Sequence, residues 1–169
     1  STVMSNLGLR MALKDMRIKH VMTQVGDRYV LEEMRASGAI IGGEDSGHVI
    51  FGDCHTTGDG ILTALKLIEA MKSQSKTLSE LSKIMTVFPQ VLINVDVDRK
   101  PAIESIPEVV KAIESVEKNL GEQGRVLVRY SGTQPLCRVM VEGPGKKETQ
   151  QYCSHIADII RDKIGSGVK

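Results

Sequence analysis

The segment Arg129-Tyr130-Ser131-Gly132-Thr133-Gln134-Pro135 combines groups that suit an anion. Arg129 offers a planar, charged fork that matches phosphate oxygens, and Ser131 and Thr133 add hydroxyl donors. Gly132 permits tight backbone geometry, so successive amides can converge on one ion. Pro135 stiffens the exit. The same composition also makes an ordinary hairpin turn, because Ser, Gly, Thr and Pro are turn residues. A second segment, Gly42-Gly43-Glu44-Asp45-Ser46-Gly47-His48, crowds polar side chains behind two glycines. Glu44 and His48 can grip sugar hydroxyls, with a further hydrogen bond from Ser46. The bland alternative is a solvated loop whose histidine merely packs.

Two shorter segments are weaker. Gly26-Asp27-Arg28 reads as a helix cap followed by a surface arginine. Thr56-Thr57-Gly58-Asp59-Gly60 precedes a helical pattern and either presents amides to an anion or simply caps the helix. Two further clusters resemble metal sites without qualifying. Asp96 and Asp98 alternate with Val95 and Val97, which is strand periodicity with the carboxylates on one exposed face. His48, Asp53, Cys54 and His55 fit no standard zinc spacing. No metal ligand is therefore assigned.

Composition narrows the function classes. The net charge is +1 and aromatics make up 3%, so neither a nucleic-acid surface nor a base-stacking platform is indicated. No apolar run approaches the length that spans a bilayer, and no signal-peptide pattern opens the chain. The three cysteines form no C-x-x-C pair, so reduced thiols in a cytoplasmic protein are expected. Hydrophobic residues at 41% suffice for a packed core built from aliphatic side chains. The opening Ser1-Thr2-Val3-Met4 reads as mid-strand, so a fragment of a longer protein is expected.

The elements that must hold these loops fall into two halves. In residues 1–88, short strands alternate with helices, which predicts an α/β domain with three layers and a mixed, mostly parallel sheet. Asn6 caps a helix to about Arg17, and Ile18–Thr23 reads as a strand. Asp27 caps a second helix carrying Val30, Leu31 and Met34. Short strands follow at Ala39–Ile41 and His48–Phe51. A helix from about Gly60 to Lys72 places Ile61, Ala64, Leu65, Ile68 and Met71 on one apolar stripe. Lys72–Lys76 is polar and loop-like, and Thr77-Leu78-Ser79-Glu80 fits a capping box.

Residues 89–169 read strand, helix, strand, strand, helix, a small α+β domain whose sheet is covered by helices. Val91, Ile93, Val95 and Val97 alternate with polar residues. Ser105-Ile106-Pro107-Glu108 fits a second capping box, before a helix carrying Val109, Ile113, Val116 and Leu120. Arg125–Tyr130 and Leu136–Glu142 are strands joined by a tight loop. The last helix carries Tyr152, Ile156, Ile159 and Ile164.

Taken in order, these loops resemble those of the α-D-phosphohexomutases. Gly43-Glu44-Asp45-Ser46-Gly47-His48 is similar to that family's G-E-x-S-G-H sugar loop, and Arg129–Pro135 to its R-x-S-G-T-E-P phosphate loop. Gln134 stands where Glu is usual. Val3-Met4-Ser5-Asn6-Leu7-Gly8, Gly26-Asp27-Arg28-Tyr29-Val30 and Thr56–Gly60 resemble the branch acting on glucosamine phosphates, where the position of Asp45 is often Gln. The resemblance covers the chain as the third and fourth of four domains. It implies interconversion of glucosamine 6-phosphate and glucosamine 1-phosphate through a bisphosphate, with a phosphoserine and Mg2+ carried by the first two domains. Glu44, Ser46 and His48, with Arg28, would hold the sugar; Arg129, Ser131, Gly132 and Thr133 would hold the phosphate. The implied partners are the phosphosugar and the N-terminal domains of the same protein. The neighbouring glucose- or mannose-phosphate branch and a non-catalytic phosphosugar-binding module are the alternatives.

Overall fold

The computed structural model describes residues 1–167; residues 168 and 169, the end of the expected second domain, lie outside them. The chain forms two units, one over Ser1–Val87 and one from Phe88 onward.

In the first unit, α1 (Leu7–Asp15) starts where the Asn6 side chain accepts a hydrogen bond from the Gly8 N–H at 3.0 Å. The second helix, α2 (Asp27–Ser37), begins after Gly26 and ends at a left-handed Gly38. Asp27 is thus the first helical residue rather than the cap, and its Oδ1 accepts from the Arg28 N–H. Strands β1 (Ile41–Gly43) and β2 (Val49–Phe51) pair antiparallel. The loop between them is five residues long, far short of the dozen or so that a parallel crossover needs. Ile18–Thr23 makes no ladder; Thr23 alone forms a parallel bridge, to Thr2. The mostly parallel expectation is therefore corrected to an antiparallel hairpin with one parallel bridge, a mixed pairing among the described residues.

The core of this unit is small: Val30, Met34 and Ile50, with Leu31 against them. Helix α3 (Gly60–Gln74) runs two residues past the expected end, so the polar stretch after Met71 is mostly helical. Its apolar stripe is not buried. No described residue of α3 is buried, and Ile61 is 78% exposed. Next comes α4 (Leu78–Leu81), which carries the predicted capping box, with Thr77 and Glu80 bonded reciprocally.

The second unit contains β3 (Gln90–Asp96), α5 (Pro107–Leu120), β4 (Arg125–Tyr130), β5 (Leu136–Glu142) and α6 (Lys146–Ile164). The sheet is antiparallel in the order β3-β5-β4. Val95, Val97, Cys137, Val139 and Val141 on one face of the sheet join Val109, Val116, Ile156 and Ile160 of the helices in one core. Val126, Val128 and Tyr130 pack against the same core. The opposite face of the sheet carries the alternating residues Arg125, Leu127 and Arg129 of β4 and Arg138, Met140 and Glu142 of β5. At one end of that face Glu142 is fully buried. It accepts from Arg125 Nε at 2.5 Å and from Gln90 Nε2 at 3.3 Å, so one carboxylate ties all three strands. The predicted Ser105 cap is absent. Ile106 occupies the cap position, and Ser105 Oγ instead donates to the Ala102 carbonyl within a short 3-10 turn.

Candidate functional site

In the first unit, three of the loops singled out by sequence meet. The β1–β2 hairpin turns through Glu44–His48 with the Glu44 N–H donating to the His48 carbonyl at 2.9 Å and Gly47 at φ +88°, a left-handed value that favours glycine. Glu44 Oε1 accepts from the Gly26 N–H at 2.8 Å, tying the hairpin to the start of α2. His48 Nε2 accepts from the Gly58 N–H at 3.1 Å and lies 3.6 Å from Asp27 Oδ2. A Cβ on Gly58 would fall 2.5 Å from the His48 ring, so only glycine permits this approach. The start of α3 is capped by Asp59, whose Oδ1 accepts from the Ile61 and Leu62 N–H groups. Ser46 is exposed at the hairpin tip. Arg28 stands apart from this convergence: its side chain is 81% exposed and pairs with Glu32 one turn along α2.

In the second unit, the β4–β5 connection holds the other predicted residues. Because Tyr130 packs against the core, Arg129 projects from the other face of the sheet. It stands directly opposite Arg138. Burial and, secondarily, the Arg138 charge hold the Arg129 pKa below its ordinary value. Among the described residues Arg138 Nε is buried without a hydrogen-bond partner, and Arg138 Nη2 lies 3.5 Å from Gln134 Oε1. Like charges placed opposite one another in a sheet are destabilising unless something neutralises them.

The loop itself is braced from within. Ser131 is buried; its N–H donates to the Leu136 carbonyl at 2.8 Å, and its Oγ accepts from the Gln134 N–H at 3.3 Å. Lys100 Nζ donates to the Ser131 carbonyl at 2.6 Å and the Gln134 carbonyl at 2.8 Å. Gly132 and Thr133 are exposed, and their backbone N–H groups have no partner among the described residues. Gly132 does not adopt a left-handed φ, and a Cβ there would meet nothing within 4 Å. The space that a side chain would fill at Gly132 is open.

Sequence reasoning missed Lys100 and Arg138. Lys100 is 31 residues from Ser131 along the chain, and nothing local announces that contact. Arg138 follows the loop and becomes informative only through the β4–β5 register, which sets it against Arg129. That register was readable in principle from the two strand lengths and the five-residue connection.

Comparison with known proteins identifies the family. Residues 1–88 match the family model described as phosphoglucomutase/phosphomannomutase, alpha/beta/alpha domain III, and residues 92–159 match its C-terminal domain. The phosphoglucosamine mutase of Syntrophus aciditrophicus is 62% identical over 97% of this chain, and that of Lactobacillus johnsonii is 50% identical over 98%. The chain spans only 36% and 37% of the lengths of these two relatives. Among solved structures, an Aspergillus fumigatus N-acetylphosphoglucosamine mutase superposes with a TM-score of 0.81 at 20% identity, over 96% of this chain and 38% of that one. This likeness shows the shared fold. The chain therefore belongs to the phosphoglucomutase/phosphomannomutase family, as its domain III followed by its C-terminal domain.

Proposed function

We propose that this chain is the C-terminal, recognition part of a phosphoglucosamine mutase, which interconverts glucosamine 6-phosphate and glucosamine 1-phosphate in the cytoplasm. Domain 1–88 would present the sugar through Glu44, Ser46 and His48. Domain 89–169 would anchor the phosphate that is not being transferred, through Arg129, Ser131, Gly132 and Thr133. The observation that carries the reading is that Arg129 stands opposite Arg138 on the strands that flank the exposed Gly132 and Thr133. Two guanidiniums and two amides are the donor types that suit a dianionic phosphate. A fixed anion clamp orients the sugar while chemistry proceeds elsewhere, so binding energy from a remote group lowers the entropic part of the barrier.

On this reading the phosphoserine and the magnesium ligands would belong to domains outside this chain. An Aspergillus fumigatus relative was crystallised with GlcNAc-6P and magnesium. The residues here do not fit that ion, since among the described residues no group of three or more His, Cys, Asp or Glu side chains could hold one. Asp96 lies on an exposed strand position. No helix among the described residues is long and apolar enough to cross a membrane.

The test is turnover by the full-length protein. Glucosamine 6-phosphate should be converted in preference to glucose 6-phosphate or mannose 6-phosphate. Arg129→Ala should weaken binding of glucosamine 6-phosphate about 10- to 100-fold, the loss of one or two charged hydrogen bonds. Equal weakening for glucosamine, which lacks the phosphate, would defeat the assignment of the anchor. A preference for glucose 6-phosphate would move the protein to the neighbouring branch.

A further inference from the structure

One nitrogen of His48 faces two partners that make opposite demands. Nε2 lies 3.1 Å from the Gly58 backbone nitrogen and 3.6 Å from Asp27 Oδ2. A neutral imidazole nitrogen carries either a lone pair or a proton. The Gly58 N–H can only donate, so it requires the lone pair. The Asp27 carboxylate can only accept, so it requires the proton. The two contacts are alternatives, and distance ranks them: 3.1 Å is within hydrogen-bond range and 3.6 Å is beyond it.

We infer that Gly58 holds His48 in the tautomer protonated at Nδ1, so that the ring meets a sugar hydroxyl as a donor through Nδ1. Asp27 is the positioning residue that flanks Nε2, at 3.6 Å. The inference rests on the reading of the β1–β2 hairpin as the sugar loop. Three observations support it. The Gly58 backbone is in van der Waals contact with the ring, since a Cβ there would lie 2.5, 2.6 and 2.7 Å from Cε1, Nε2 and Nδ1. Among the described residues Nδ1 has no hydrogen-bond partner, while about a third of the side chain is open to solvent. The other charged groups nearby are already committed. Glu44, on the ring's own hairpin, is bonded to the Gly26 N–H, and Asp59, on the Gly58 segment, caps α3. That leaves Asp27, from α2, as the charge that faces Nε2.

The measurement is long-range 1H–15N NMR of the full-length, substrate-free protein with 15N-labelled histidine, the His48 signals being assigned by their loss in His48→Gln. At neutral pH the pattern of an Nδ1–H tautomer is expected. Gly58→Ala should abolish that preference and raise KM for glucosamine 6-phosphate about tenfold while kcat changes little. Should Gly58→Ala fail to fold, Asp27→Asn serves instead: it should keep the Nδ1–H tautomer at neutral pH and raise KM by a smaller factor. An Nε2–H tautomer in the unmodified protein overturns the inference, as does a Gly58→Ala variant with unchanged tautomer and KM. Because the tautomer is read without substrate, an Nε2–H result in an enzyme that turns over glucosamine phosphates removes this inference alone. Absence of glucosamine phosphate turnover beside an Nδ1–H ring removes the functional reading and, with it, the donor role toward the sugar.

Discussion

Arg129 and Arg138 stand directly opposite each other on adjacent antiparallel strands, on the face of the sheet turned away from the helices. Neighbouring like charges of this kind oppose folding and favour an anion. Arg138→Gln in the full-length protein should therefore leave the phosphate-free melting temperature unchanged or raise it, by up to about 1 kcal/mol of relieved repulsion. The same variant should bind glucosamine 6-phosphate about tenfold more weakly. Thermal melts with and without ligand read both effects; a loss of stability without ligand would show that Arg138 is a structural residue.

Lys100 closes the anion loop from below by donating to two of its carbonyls. Lys100→Met keeps the length of the stem and removes the donor. KM should rise with kcat nearly unchanged, because the loop loses its preset shape rather than a reacting group. Lys100→Arg should recover part of the loss. Steady-state kinetics with glucosamine 6-phosphate decides; a fall in kcat at constant KM would contradict the bracing role.

Glu44 has a structural duty that its place in the hairpin concealed. Its Oε1 accepts from the Gly26 N–H, so Glu44→Ala should cost about 1–3 kcal/mol as well as activity. Glu44→Gln retains a carbonyl acceptor for that N–H and removes the charge. It should lower turnover while the melting temperature stays within about a degree or two. Paired melts and assays of the two variants separate these contributions.

The cysteines differ in accessibility. Cys54 is exposed, whereas Cys137 and Cys153 are buried, and burial pushes both thiols up to about 11 from an ordinary 9.0. Iodoacetamide at pH 8 should label one thiol in the native chain and three in denaturant, as counted by mass spectrometry. The linkage has a definite sign. Above pH 9 the unfolded chain releases these protons while the folded one holds them to about 11, so stability is full below 9 and declines between 9 and 11. Denaturant titrations across that range should show the decline, and a double Cys137→Ala, Cys153→Ala variant should show less of it.

Much of the second unit was legible because its pattern is set by burial on one face. The alternation of β3, the two strand lengths of the hairpin and the apolar stripes of α5 and α6 each point to one core. The first unit was less legible. The stripe of α3 has helical spacing, yet Ile61, Leu65 and Ile68 remain exposed, because spacing reveals an amphipathic helix but not what covers it. The Ser105 box failed because Ser105 already belongs to a 3-10 turn that uses its hydroxyl. For the site, the loop residues were visible as chemistry. The Lys100 brace was not, because it acts across 31 residues of sequence through a contact that only the fold creates.

Glu142 has a consequence for how this sheet avoids misassembly. Arg125 on β4 and Gln90 on β3 both lie directly opposite it, in the registers that bury it. Aliphatic strands such as these can slip by two residues and still bury valine against valine, since period two is preserved. A slipped β4 would carry Arg125 away and leave a carboxylate in the interior without its cation, at a cost of about 3–5 kcal/mol. The greasy faces of the strands are indifferent to alignment, and a single acidic residue at the far end of the sheet discriminates among the alternatives. The alignment it enforces is also the one that sets Arg138 against Arg129.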